Sequence, residues 1–240
     1  MKKAFLLDPV RILKGPKTKT GSSAVLVVNN LIKAFGNDAR HMGKELDIPA
    51  ISANELVFAP CLVDPHSFLT DHLNGKIETI DSLRQKAASA GYGQVAILPR
   101  ARLWRDRPEH LIPLVKACPK DILIHLWGSF SQGGVGEDLS PHKDLIDYGA
   151  IGLADNESMI NPQLLHKGIL LNESKGKPIL IAPKDTSIQG NGIAREGVEA
   201  LRAGWYQDPI ASETVPLATI LEIHRQYPEA KIRIMNLSTA

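Results

Sequence analysis

The stretch TIDSLRQKAASAGYGQVAILP, residues 79–99, contains the unit that decides the fold: a helical segment followed by a short apolar strand. Five further apolar runs share the character of that strand: ELVFAPCLVDPH (55–66), DILIHLW (121–127), AIGLAD (150–155), PILIAP (178–183) and KIRIMNL (231–237). Because each run is almost continuously apolar, it is typical of a strand buried on both faces of a parallel sheet. Strand and helix alternating about six times predict a β/α barrel or a doubly wound sheet.

The glycine-rich segment SQGGVGED (131–138) lacks the G-x-G-x-x-G spacing of a dinucleotide-binding turn. The sequence also contains no G-x-S-x-G nucleophile elbow and no P-loop. These absences argue against a nucleotide-dependent enzyme and against a serine hydrolase of the α/β type.

The first fifty residues have a different pattern, which predicts antiparallel strands. AVLVV (24–28) is a strand-like run, Asn29-Asn30 is a turn signal, and LIKAFG (31–36) is the expected return strand. We therefore expect an N-terminal β segment over residues 1–55, followed by a β/α barrel over residues 56–240.

Composition and net charge limit the classes of function that the sequence predicts. The chain has 240 residues, of which 43% are hydrophobic and 22% charged, and its net charge of +2 does not predict binding to nucleic acid or to an acidic membrane surface. No run approaches the ~18 apolar residues of a membrane helix. The two cysteines, Cys61 and Cys118, do not suggest a disulfide framework. The sequence predicts a soluble, cytoplasmic protein.

The sharpest local feature is LVDPHSFL (62–69), at the end of the first predicted barrel strand. Polar side chains at the carboxyl ends of barrel strands face the mouth where active sites form. His66, beside Asp64, is therefore a candidate metal ligand or substrate-orienting group. A hydrogen-bonded loop histidine without a functional role is the competing interpretation.

LVDPHSF (62–68) resembles the motif V-D-x-H-x-H-L-R of the dihydroorotases, which are cyclic amidohydrolases of the TIM-barrel amidohydrolase superfamily. Further segments resemble that family in the same order along nearly the whole chain. They are LLDPVRILKG (6–15), GAIGLADNESMINPQLL (149–165), PILIAPKD (178–185), PIASETVPLATILEIHRQY (209–227) and IRIMNLSTA (232–240).

The resemblance implies a zinc centre, which lowers the pKa of bound water towards ~7 and needs about three protein ligands. At two of the family's ligand positions this chain has a residue that can bind zinc, and these residues are His66 and Asp155. The remaining imidazoles are replaced by Phe68, Ala182 and Asn236. The family's general base after the eighth strand has no counterpart, so we assign no catalytic residue.

The positions that the family uses for its substrate are also altered. Its carboxylate-binding arginine is Thr70, and its second-strand asparagine is Arg100. Arg100 is a candidate clamp for an anionic substrate, and a solvated loop arginine is the alternative. Lys184 replaces a glutamate, and its positive charge opposes metal binding at the neighbouring site.

We therefore predict an α/β chain with a TIM-type amidohydrolase barrel that is incomplete at its C-terminus, either truncated or completed in trans. The leading hypothesis is a non-catalytic dihydroorotase homologue that needs no cofactor. The resemblance implies aspartate carbamoyltransferase as a partner, and a homo-oligomer is a further hypothesis. The alternative is an active metal-dependent hydrolase with zinc at His66 and Asp155, and with Arg100 and Lys184 holding an acidic substrate. A truncated product without a function of its own is the third interpretation.

Overall fold

A computed structural model describes residues 4–13, 15, 21–70, 78–118, 122–155, 157–171 and 176–239. The chain divides into two compact units, Met1–Cys61 and Leu62–Ala240. The division thus falls after Cys61, whereas the sequence pattern placed it after residue 55. The reason is that the last strand of the first unit runs on to Phe58.

The first unit is a four-stranded sheet with one helix. Its elements are β1 (Ala4–Ile12), β2 (Gly21–Val28), β3 (Leu31–Phe35), α1 (Gly36–Glu45) and β4 (Ala50–Phe58). The strand order is β3-β2-β1-β4, in which β1 pairs with β2 antiparallel and with β4 parallel. The predicted hairpin between β2 and β3 is confirmed: Asn29 and Asn30 both have positive φ, 53° and 62°, as a tight two-residue turn requires.

Strand β2 of the first unit is buried on both faces. Alternate residues belong to two apolar clusters, one containing Val25 and Val27 of β2 and the other Ala24 and Leu26. The second cluster includes Ala39 of α1, so the helix covers that face.

The second unit contains the predicted repeat of strand and helix. Its main strands are β5 (Leu62–Ser67), β6 (Tyr92–Ile97), β7 (Leu123–Leu126), β8 (Gly128–Ser129), β9 (Leu153–Ala154), β10 (Ile179–Ile181) and β13 (Ile232–Ile234). They form two parallel sheets, β5-β6-β7 and β8-β9-β10-β13. Trp127 alone separates β7 from β8, and its backbone N–H donates to the carbonyl of Ile97 at 3.0 Å. The strands therefore follow one another in space in the order of the sequence.

Helices lie between these strands, as the alternating pattern predicts. They are α2 (Ile80–Ser89), α3 (Pro108–Ala117), α4 (His142–Asp147), α5 (Pro162–Leu171) and α8 (Ala211–Gln226). A capping box between Thr79 and Ser82 starts α2. The helix ends at Ser89, shortly before Gly91, which takes a φ of +83°, and the next strand begins at Tyr92. The sequence also predicts a helix over residues 161–174. Residues 172–174 of that helix, and residue 121 of the predicted strand 121–127, lie outside the described residues.

Between β10 and α8 the sequence predicts a long loop and then a helix near 193–203, and the structure has a shorter helix with further elements around it. This segment contains α6 (Thr186–Gln189), β11 (Ala194–Arg195), α7 (Val198–Arg202) and β12 (Gln207–Asp208), with β11 and β12 paired in parallel. A 3-10 turn, Gln132–Gly134, follows β8. Among the described helices, none is long and apolar enough to cross a membrane.

The prediction of one buried strand over residues 55–66 is wrong. The run contains the end of β4 and most of β5, and Leu56, Val57, Leu62 and Val63 are half exposed. Each of these strands is at the edge of its own sheet among the described strands. One side of an edge strand has no neighbour to cover its apolar side chains.

The central strands of the second unit do have two buried faces. Val95 and Ile97 of β6 belong to the cluster that includes residues of the helices, whereas the alternate Ala96 belongs to a smaller cluster with Trp127 and Leu180. Burial on both sides explains the continuous apolar runs in the sequence.

Candidate functional site

The candidate site lies at the carboxyl ends of the parallel strands of the second unit. His66 belongs to β5, Asp155 directly follows β9, Ala182 follows β10, and Asn236 lies two residues beyond β13. The carboxyl ends of parallel strands meet on one edge, which is where barrel enzymes build their sites.

His66 is held by contacts of its neighbours. The Asp64 carboxylate accepts hydrogen bonds from the backbone N–H of His66 at 3.1 Å and from the Ser67 hydroxyl at 2.6 Å. The buried indole of Trp127 donates from Nε1 to the carbonyl of Pro65 at 2.9 Å. The Nδ1 atom of His66 is buried and has no hydrogen-bond partner within the described part of the chain. The backbone is thus fixed on both sides of an imidazole whose Nδ1 atom is unused.

The side chain of Asp155 accepts hydrogen bonds from the turn after β8. The side chain is buried, and its Oδ1 accepts hydrogen bonds from the Ser131 backbone N–H at 2.9 Å and the Ser129 hydroxyl at 3.1 Å. Oδ2 accepts from the Ser131 hydroxyl at 2.5 Å. Burial raises the pKa of Asp155, and these serine hydrogen bonds oppose the rise. Both carboxylate oxygens therefore already have protein partners.

The residues at the strand ends do not fit a zinc centre. Of the positions that the resemblance assigns to metal ligands, Phe68, Ala182 and Asn236 offer no imidazole or carboxylate. Among the residues with described positions, no group of three His, Cys, Asp or Glu side chains is placed to hold a metal ion. A catalytic zinc needs about three protein ligands and an open position.

Arg100 lies at the exposed rim of the site. Its guanidinium stacks over the Phe68 ring, 5.1 Å from the centroid, and lies 3.9 Å from a carboxylate oxygen of Glu157. Both charged side chains are about half exposed, so solvent screens their attraction. These contacts hold Arg100 beside Phe68, and its role as a substrate clamp remains a prediction.

A small polar cavity of about 170 Å³ lies beyond β10 and β13. It is lined by Glu157, Ala182, Pro183, Lys184, Arg195, Asp208, Ser212, Glu213, Asn236 and Ser238. The lining includes Ala182 and Asn236, which are two of the three positions where the resemblance predicts an imidazole and this chain has none.

A hydrogen-bonded network forms one wall of this cavity. Arg195 donates to Glu213 at 3.1 Å and lies 3.4 Å from Asp208. The Glu213 carboxylate also accepts from the backbone N–H groups of Ser238 and Thr239 at 3.0 and 2.7 Å, and from the Ser238 hydroxyl at 2.7 Å. Burial alone would raise the pKa of Glu213, but the hydrogen bonds from Ser238 and Thr239 outweigh it and lower the pKa to about 2.

Sequence reasoning did not find this network. Glu213 stood inside the segment that resembles the family's helix, but its partners Arg195 and Ser238 are 18 and 25 residues away along the chain. No local spacing connects them, because the contact exists only once α8, β11 and the end of β13 are assembled.

Comparisons with known proteins agree with this architecture. No protein-family model matches the chain. A probable dihydroorotase-like protein of Synechocystis sp. is 29% identical over 98% of this chain and 56% of its own length. A dihydroorotase of Geotalea daltonii is 25% identical over 83% of this chain and 48% of its own. The chain thus spans about half the length of the curated relatives that it matches.

Solved structures give the same picture of the fold. The L-hydantoinase of Arthrobacter aurescens superposes with a TM-score of 0.69 at 15% identity, covering 98% of this chain and 53% of the hydantoinase. The D-hydantoinase of Bacillus sp. AR9 gives 0.68 at 13% identity, covering 98% and 52%. The fold is therefore that of the TIM-barrel amidohydrolases. In sequence, the chain is similar to dihydroorotases and to a dihydroorotase-like protein.

Proposed function

We propose that this chain is a non-catalytic, dihydroorotase-like protein of the cytoplasm that acts by binding and not by hydrolysis. The observation that carries the proposal is the engagement of both Asp155 oxygens by Ser129 and Ser131. A carboxylate that holds a turn in this way is a poor candidate for a metal ligand.

The physical argument concerns the activation of water. A zinc ion lowers the pKa of its bound water only when the protein holds the ion in place. Two side chains, His66 and Asp155, would bind zinc weakly. Lys184 lines the neighbouring cavity, and its positive charge disfavours a divalent cation nearby.

Metal content and hydrolysis, measured on one sample of the purified chain, test this proposal. We expect far less than one zinc per chain after dialysis, and no dihydroorotate hydrolysis above the buffer rate. The exposed His41→Ala variant is the matched control for His66→Ala. About one retained zinc per chain, together with turnover that His66→Ala abolishes and His41→Ala leaves intact, would refute the proposal.

The binding role that we propose is a structural contact with aspartate carbamoyltransferase in pyrimidine biosynthesis. An exposed apolar patch supports a role in protein contacts, because such patches commonly mark interaction surfaces. Its members are Ile193, Val198, Leu201, Trp205 and Tyr206, each at least 57% exposed. The backbone N–H of Ile193 donates to the carbonyl of Tyr206 at 2.9 Å, which places these two residues side by side.

Co-purification from a native extract tests the partner. We expect the transferase to elute with the tagged chain, and Leu201→Glu to weaken that association while Leu221→Glu, at an exposed site on α8, leaves it unchanged. Light scattering on the same sample tests the proposed homo-oligomer. A chain that elutes without the transferase would contradict the partner proposal.

One observation favours the alternative, an active metal-dependent cyclic amidohydrolase. The buried Nδ1 of His66 has no partner among the described residues, so its lone pair is available to a ligand. The zinc measurement above separates the two proposals.

A further inference from the structure

We propose that the cavity beyond β10 and β13 binds a small carboxylate, and that the ammonium of Lys184 supplies the positive charge that a metal ion supplies in a hydrolase. This inference rests on the proposed non-catalytic function, because it needs the site to be without a metal. It assigns a ligand class to the cavity.

Backbone contacts fix the position of Lys184. Its N–H donates to the carbonyl of Ala182 at 2.9 Å, and its own carbonyl accepts from the N–H of Met159 at 2.9 Å. The next residue, Asp185, donates to the carbonyl of Ser212 at 2.8 Å and its side chain begins α6. The lysine therefore projects from a segment that is tied down on both sides.

The other charges of the cavity wall already have partners. The Arg195 guanidinium donates to the carbonyl of Pro209 at 2.9 Å, to the Ser212 hydroxyl at 3.0 Å and to Glu213. Asp208 accepts from the Ser212 hydroxyl at 2.6 Å. By contrast, no carboxylate of the described residues lies within ion-pair distance of Lys184.

The charge balance limits the affinity. Arg195, Asp208 and Glu213 together carry a formal charge of −1, and the charge of Glu157, the other carboxylate of the lining, is opposed by Arg100 at 3.9 Å. An anion is therefore attracted through Lys184. A single ammonium at a partly exposed site gives weak binding, and we expect a Kd on the order of 1 mM.

Size and hydrogen bonding define the ligand further. The cavity of about 170 Å³ is below the ~300–1,000 Å³ of pockets for drug-sized molecules, so the ligand is small. Asn236 lines the cavity in the left-handed region, with φ 59°, and its amide can donate to an oxygen. A lysine donates as a point charge, which suits a single carboxylate group.

Titration calorimetry in chelator-treated buffer, with acetate and malonate as probes, tests the inference. The wild-type chain should bind a carboxylate near 1 mM, whereas acetamide, the neutral analogue of acetate, should not bind. Lys184→Met should weaken binding at least tenfold, and Lys184→Arg should retain it within about threefold. Lys177→Met is the matched control, since Lys177 is exposed and precedes β10 at its other end. A circular dichroism melt of each variant verifies that it is folded.

The outcomes separate this inference from the proposed function. Equal binding of acetamide and acetate, or unchanged binding by Lys184→Met, overturns the role of Lys184. Either result leaves the proposal of a zinc-free, inactive protein intact. Carboxylate binding that appears only when zinc is added overturns both. Binding that survives chelation and is lost only in Lys184→Met supports both.

Discussion

Ser131 donates two hydrogen bonds to Asp155, one from its backbone N–H at 2.9 Å and one from its hydroxyl at 2.5 Å. The same hydroxyl accepts the backbone N–H of Gly136 at 2.9 Å. The acid that the family resemblance assigns to the metal thus organises the loop after β8.

We predict that Ser131→Ala destabilises the protein by about 1.5–3 kcal/mol, because it removes a hydrogen bond to a buried charged group. Ser140→Ala is the control: Ser140 is equally buried, but its hydroxyl has no partner in the described structure. Urea unfolding of the two variants measures the difference. Equal losses in both would mean that Ser131 does not hold Asp155.

The pKa of Glu213 predicts a loss of stability in acid. Its folded-state pKa of about 2 lies below the ordinary value of 4.5, so the stabilising contribution is complete above pH 4.5 and is lost as the pH falls towards 2. Glu213→Gln should destabilise the protein at pH 7 and flatten this part of the pH profile. Urea melts between pH 3 and 7 measure both effects.

Glu222→Gln on the same helix is the control for Glu213→Gln. Hydrogen bonds from Arg225 lower the pKa of Glu222 as well, but solvent screens this exposed pair. The control should therefore stay near wild type at pH 7. A Glu222→Gln variant as unstable as Glu213→Gln would contradict the role of the buried network.

Arg105 is predicted to be the most sensitive arginine of the second unit. Its fully buried guanidinium donates to the carbonyls of Ile97, Leu98 and Trp127, which ties β6 to the start of β8. Arg105→Ala removes the guanidinium donor from the carbonyls of Leu98 and Trp127, whereas the Ile97 carbonyl keeps the backbone N–H of Trp127. The substitution also opens a cavity, so we expect a loss of about 3–5 kcal/mol. Arg107→Ala, at an exposed position, should cost less than about 1 kcal/mol. Thermal melts of the two variants compare them.

The hairpin of the first unit gives a prediction of its own. Asn30 has a φ of 62°, a region that costs a residue with an ordinary side chain about 1–2 kcal/mol. Asn30→Ala should therefore destabilise the protein, and Asn30→Gly should be neutral or slightly stabilising. If denaturant unfolding of the first unit ranks glycine below alanine, the turn does not have this conformation.

The sequence by itself determined the class of fold. Continuous apolar runs such as QVAILP (94–99) follow from strands with two buried faces, and the Asn29-Asn30 pair specifies its turn through local backbone energetics. The substitutions Phe68, Ala182 and Asn236 are also visible in the sequence alone. Each of these features depends on neighbours within a few residues.

Only the tertiary structure decided which hydrogen-bond partners the buried polar side chains have. The partners of Asp155 are 24 and 26 residues distant in sequence, and those of Glu213 are 18 to 26 residues distant. The exposed edge strands from Leu56 to Val63 likewise depend on which strand has a neighbour. Hydrogen bonds and burial depend on the distance between residues in space. The separation of two residues in the sequence fixes that distance only within a single helix or strand.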